Sequence, residues 1–167
     1  MLRLKVLLTA IPLALLFSAA EARQLNEGDS VVGGSLGLGV GWGGVTVGGS
    51  FERGMIDDIA TNINLSAGIT GIYTNYTYSS TWSVSHTFVG AMVNLNYYTP
   101  DLGQLQPYGG LTVGYNLINV ESGYAGSYGS GITGGGQIGT RYYFSDTLAL
   151  NVRLGFPITS LGLDYRF

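Results

Sequence analysis

The sequence has no cysteine, which excludes a disulfide scaffold and any thiolate metal site. Stability must come from backbone pairing and packing. Lysine is almost missing, with Lys5 alone. Without a basic patch, nucleic acid is excluded as a partner. Charged residues make up 10% of the chain, against about a quarter in soluble domains, so a fully water-facing surface would be hard to cover. Beyond residue 22 there is no apolar run near 18 residues, and therefore no candidate membrane helix there. Long helices are further disfavoured by 28 glycines, all after residue 22, because an interior Gly costs about 1 kcal/mol relative to Ala. A chain of this kind enters a membrane only as a closed barrel, the other solution that satisfies every backbone polar group.

The first segment stands apart. Arg3 and Lys5 open it, the apolar run "VLLTAIPLALLFSAA" follows, and Ala20-Glu21-Ala22 supplies a small-x-small site. This is the layout of a secretory signal peptide, residues 1–22. The run is short of the ~20 apolar residues of a spanning helix. Cleavage after Ala22 leaves 145 residues with five arginines and nine acids, net charge −4. Residues 23–29 then form a short periplasmic leader, and residues 30–167 the folded domain.

What the chain has in abundance is alternation. In "VVGGSLGLGVGW", Val32, Leu36, Leu38, Val40 and Trp42 share one parity and Gly33, Ser35, Gly37 and Gly39 the other. Val45, Val47 and Phe51 oppose Thr46, Gly48, Ser50 and Glu52. Ile63, Leu65, Ile69 and Tyr73 oppose Asn64, Ser66, Gly68 and Thr70, with Ile72 breaking the pattern where the strand is expected to leave the bilayer. Val89, Val93, Leu95 and Tyr97 oppose Gly90, Asn94 and Asn96, although Phe88 and Met92 share that second face. The scheme repeats around Leu111–Leu117, Ile132–Phe144, Leu148–Phe156 and Leu161–Phe167. Period two over about ten residues, eight times, predicts eight strands, each long enough to cross a bilayer obliquely. Short connections at Met55–Asp58, Thr99–Asp101 and Ser145–Asp146 alternate with longer ones at "SSTWSVS" and "ESGYAGSYGSG". The fold class is all-β, an eight-stranded antiparallel up-and-down transmembrane β-barrel with both termini on the periplasmic side.

The polar face decides which way the barrel is turned. It carries Gly, Asn, Thr and Ser, with Glu52, Arg141, Arg153, Asp164 and Arg166 as its charges. A water-facing exterior would carry Lys and Glu, whereas a narrow lumen takes small groups and a few charges that pair. The polar face therefore points inward and the apolar face meets lipid. Aromatics fall near segment ends: Trp42, Tyr73 and Phe156 at the outer rim; Phe51, Tyr97, Tyr142 and Phe144 at the periplasmic rim. Two such girdles are expected of membrane barrels.

The stretch "GTRYYFSDTLALNVRLGFPITSLGLDYRF", residues 139–167, resembles the C-terminal hairpin of small bacterial outer-membrane β-barrel proteins of the OmpA/OmpX type. The resemblance extends to the signal peptide and the eight segments as an architecture. It implies location in the bacterial outer membrane, and recognition of Leu161, Leu163, Tyr165 and Phe167 by the outer-membrane assembly machinery. Unlike OmpA, the chain is expected to end at its barrel, without a cell-wall-binding domain.

Chemistry is sparse. The lone histidine, His86, lies beside Ser83 and Ser85, but neighbours in a strand point to opposite faces. "GVGWGG" and "GGGQIG" match a dinucleotide fingerprint without the helix it needs. Asp57-Asp58 is read as a solvated turn rather than a metal site. No cofactor and no enzymatic activity are expected. Glu52, Arg141, Arg153, Asp164 and Arg166 are expected to converge as a plug or a gate, since a buried charge must pair. The expected function is a structural or interaction role in the outer membrane, as a monomer in lipid, with at most a narrow gated or unselective permeability. Glycines Gly37, Gly39, Gly41, Gly114 and Gly135 in the upper lumen suggest room for water, the feature that would favour a small-solute pore. A rim-located lipid-modifying enzyme built on His86 is a third reading.

Overall fold

A computed structural model describes residues 24–40, 44–79, 82–121 and 129–167. The signal-peptide segment, Gly41 and Trp42 lie outside the described residues. Eight antiparallel strands close into a barrel in chain order: β1 Ser30–Gly39, β2 Val45–Ala60, β3 Ile63–Ser79, β4 Trp82–Tyr97, β5 Leu105–Glu121, β6 Gly131–Tyr143, β7 Leu148–Gly155 and β8 Ile158–Arg166. Each strand pairs with its sequence neighbours, and β1 pairs with β8, from Val31 opposite Arg166 to Gly39 opposite Ile158. No sheet edge is left along the seam, which is how a barrel avoids unpaired backbone in lipid.

The register fixes the tilt. Stepping pair by pair from Gly34 through Gly49, Gly71, Val89 and Tyr115 reaches Ile132 on β6. Stepping the other way, through Leu163 and Leu150, reaches Tyr142 on the same strand, a stagger of ten residues. A stagger of that size over eight strands corresponds to strands inclined by about 35–45°.

The apolar parity faces outward. Leu36, Val47, Ile69, Val89, Leu111, Val113, Ile138, Leu161 and Leu163 are all exposed. The polar parity is buried: Glu52, Asn64, Ser66, Asn94, Asn96, Gln106, Gln137, Arg141 and Asp164 lie inside. This is the inversion of a soluble fold that lipid demands, and it makes the molecule a transmembrane β-barrel.

Two expected connections are strand instead. Met55–Asp58 belongs to β2, which continues to Ala60 through register shifts after Gly54 and Ile56. The reversal falls at Thr61 and Asn62, where Asn62 takes a φ of 61°, a conformation Asn accepts through its short polar side chain. Most of "SSTWSVS" is also strand, since β3 runs to Ser79 and β4 starts at Trp82. The wall is uneven in consequence. β3 and β5 run 17 residues each, β7 only eight. On the β7 side, pairing of β6 ends at Gln137 opposite Gly155, so Gly131–Gly135 rise beyond the short hairpin.

Candidate functional site

Among the described residues the polar chemistry is concentrated in the lumen, where side chains lie in layers. Nearest the end that carries the termini and short turns is a charged layer. Arg141, 1% exposed, reaches Glu52 Oε2 through Nη2 at 2.5 Å and Asp164 Oδ2 through Nε at 2.8 Å. Its Nη1 donates to Asn96 Oδ1 at 2.9 Å. Three faces of one planar fork are thereby used, which a lysine could not do. The carboxylates are held from behind. Ser66 donates its hydroxyl to Glu52, Asn96 Nδ2 donates to Ser66 Oγ at 2.7 Å, and Asn151 Nδ2 donates to Asp164 Oδ2 at 2.7 Å. The Tyr108 ring lies beneath the Arg141 guanidinium, 4.6 Å from centroid to Cζ.

Of the five expected lumen charges, Glu52, Arg141 and Asp164 meet as a triad. Arg153 joins at one remove. Its Nε donates to the Tyr108 hydroxyl at 3.2 Å, and that hydroxyl donates to Asn151 Oδ1 at 2.9 Å. Arg153 makes no ion pair among the described residues. Arg166 is not part of the layer. It sits at the mouth, with Nη1 on the Gln24 carbonyl at 2.8 Å, Asp29 Oδ2 at 3.7 Å and the Tyr143 ring below. It is the last residue of β8, and its bonds go to the N-terminal segment rather than to the triad.

Above the charges the lumen turns apolar. Ile72, Phe88 and Ile158 form one buried cluster, with Phe156 packed against it. Two expectations are corrected by this cluster. Ile72 does not mark the strand's exit from the bilayer, because its side chain points inward with that of Phe88. Phe156 is not a rim aromatic, because β7 ends at Gly155, whose φ of +122° breaks the alternation, and the ring that follows packs against the buried cluster inside the barrel. At Gly114 and Gly135 the expected room is taken as well. A Cβ on Gly135 would come within 2.6 Å of Phe156 Cβ, and one on Gly90 or Gly114 within 2.6 and 2.7 Å of Phe88 Cζ. The two rings lie on the bare backbone of glycines, so among the described residues Gly114 and Gly135 leave no open space beside them.

His86 lies above this lid, buried, with Nδ1 at 3.3 Å from Asn116 Nδ2 and its ring stacked on Tyr76. Ser83 and Ser85 fall on the opposite face of β4, so neither is placed to be activated by His86. Asp57 and Asp58 take structural bonds, from the Glu27 N–H at 2.7 Å and from the Tyr98 hydroxyl at 2.7 Å respectively. The Asp58 bond holds the Tyr98 phenol, in the turn after β4, above its ordinary pKa. Gly134–Gly139 is β6 strand, with no helix to receive a phosphate.

On the outer face, Phe51, Tyr73 and Tyr97 are exposed. Tyr142 meets Phe144 edge-on at 5.9 Å beside the β6–β7 turn. Leu161, Leu163, Tyr165 and Phe167 are exposed along one side of β8 and its end, with the last two rings stacked at 6.1 Å.

Solved structures with this architecture are transmembrane barrels. A de novo designed transmembrane β-barrel matches with a TM-score of 0.51 at 18% identity, over 87% of this chain and all of the other. The N-terminal barrel domain of OprF from Pseudomonas aeruginosa gives 0.51 at 16% identity, covering 84% and 98%. Neisserial surface protein A gives 0.51 at 15% identity, covering 83% and 95%. Neither a family model nor a curated protein sequence matches the chain. Identities this low speak for the fold alone, and the designed barrel matches as well as the natural ones.

Proposed function

We propose that this protein is an outer-membrane barrel of a Gram-negative bacterium whose work is done by its walls and its loop end, not by transport through its centre. The observation that carries the reading is the layered lumen: an apolar cluster of Ile72, Phe88, Phe156 and Ile158 beside the Arg141 triad. Each layer closes the path by a different means, so exchange of salt-bridge partners alone would not open it. Outer-membrane placement is supported by the likeness to barrels such as the OprF domain, and by the signal-peptide layout of residues 1–22. On this reading the short turns and termini face the periplasm, and the tall β3–β4–β5 wall stands outward as the surface for contact. The exposed Leu161, Leu163, Tyr165 and Phe167 serve as the address read by the assembly machinery, and the barrel works as a monomer in lipid.

Planar-bilayer recording of the purified barrel, beside Glu52→Ala, tests the reading. Silence in the parent is expected. Discrete channel events in the unaltered protein, from material that shows heat-modifiable gel migration, would replace it with the small-solute pore.

A further inference from the structure

Of the expected periplasmic leader, residues 23–29, the described part from Gln24 to Asp29 lies against the barrel. Leu25 is 0% exposed, and its carbonyl accepts Asn64 Nδ2 at 3.0 Å. The neighbouring Gln24 carbonyl accepts Arg166 Nη1 at 2.8 Å. Gly28 N–H donates to the Gly54 carbonyl at 3.0 Å, and Gly54 N–H returns a bond to the Asp29 carbonyl at 2.9 Å. The segment is also closed on itself: Asp29 N–H donates to the Asn26 carbonyl at 3.1 Å, and Asn26 N–H donates to Asp29 Oδ2 at 3.0 Å.

The barrel wall is shaped for this segment. Gly54 sits on the inward parity of β2, where any Cβ would overlap the Asn26 carbonyl. Its φ is not among the positive ones, so the strand itself has no need of glycine there. The need comes from the segment lying against it. The anchors are also distributed in a telling way. Gly54 belongs to β2, Asn64 to β3 and Arg166 to β8, so the segment ties together strands on both sides of the β1–β8 seam, where first and last strands meet.

We propose that Gln24–Asp29 is a latch: an intramolecular ligand that seats Leu25 in the mouth at the terminal end and locks the closing seam. The anchors are backbone carbonyls bound by Asn64 and Arg166, with the Leu25 side chain beside them, so the mouth is a site for a short peptide carrying a leucine. The geometry stands whether or not the lumen conducts.

The cysteine-free chain makes the test clean. Val31 points inward beside the mouth and is buried. In an otherwise unaltered barrel carrying Val31→Cys, reaction with a water-soluble thiol reagent is expected to be slow, against fast reaction of an Asp101→Cys control in an exposed turn. Adding Leu25→Asp, or separately Gly54→Val, should expel the latch and raise the Val31→Cys rate roughly tenfold or more, as local opening becomes easier. The two variants act from opposite sides, one on the latch and one on a strand that tolerates Val, and heat-modifiable migration verifies that the barrel is closed. Labelling of Val31→Cys at the control rate in the parent overturns the latch without recourse to a variant. An unchanged slow rate in a folded Leu25→Asp or Gly54→Val barrel overturns it equally.

Discussion

Phe156 meets Phe88 edge-on across the lumen, with ring centroids 5.5 Å apart and planes at 90°. The contact joins the short β7–β8 hairpin to the tall β4 wall. Edge-to-face packing of this kind adds about 0.5–1.5 kcal/mol beyond the area it buries.

If the two layers close the path in series, opening one is insufficient. A Phe88→Ala/Phe156→Ala barrel should be silent in a planar bilayer, as should Glu52→Ala alone. Combining them should give measurable ion flux. Removing the aromatic pair costs stability too, about 3–5 kcal/mol for the fully buried Phe88 and less for the half-buried Phe156, read as a lower urea midpoint of the gel-shift transition. Flux from Phe88→Ala/Phe156→Ala alone would show that the charged layer is no barrier.

The triad and the second arginine should respond unequally. Arg141→Met strands two buried carboxylates and is expected to cost about 3–5 kcal/mol. Arg153→Met loses a bond to a neutral hydroxyl and should cost about 1–2 kcal/mol. Urea unfolding of refolded barrels ranks the two. Equal costs would mean that Arg153 carries a share of the triad's charge that its geometry does not suggest.

Glycines on the two faces make a sharper contrast. Gly34 faces lipid, with nothing within 4 Å of an added Cβ, whereas Gly135 faces Phe156. Gly34→Ala should be neutral or stabilising by about 0.4–1 kcal/mol. Gly135→Ala should destabilise by about 1–3 kcal/mol through overpacking. Reversal of that order in unfolding midpoints would put Phe156 outside the lumen.

Phe167 is exposed beyond the end of β8. If its ring is part of an assembly address, its deletion should lower outer-membrane yield several-fold while folding into detergent stays near parental. Normal yield in cells would leave the ring as an interfacial anchor and nothing more.

The faces of the strands were legible because period two is a local property: Leu161, Leu163 and Tyr165 announce their side without reference to anything distant. The meeting of Glu52, Arg141 and Asp164 was legible for a different reason, since few charges on one face of a closed sheet have few partners to find. What escaped was decided elsewhere in the chain. Phe156 changed sides because one glycine before it takes a positive φ. Ile72 and Phe88 looked like lapses in the pattern, and their partners, Ile158 and Phe156, are too far along the chain to reveal the lid. Gly114 and Gly135 read as empty space, although a glycine in a narrow lumen shows only that something lies close, here a phenyl ring. Tyr108 and Asn151, which link Arg153 to the triad, had no signal beyond their parity.

The short β7–β8 wall has a consequence for the bilayer around it. Eight residues in β7, at ~3.3 Å per residue and tilted by ~45°, rise only ~19 Å, less than the ~25 Å apolar band usual for such barrels. The 17 residues of β3 and β5 cross the same distance with length to spare. Lipid therefore meets two different thicknesses on opposite sides of one molecule. Either the leaflet thins beside Phe156 and Pro157, or the barrel leans to level the two sides.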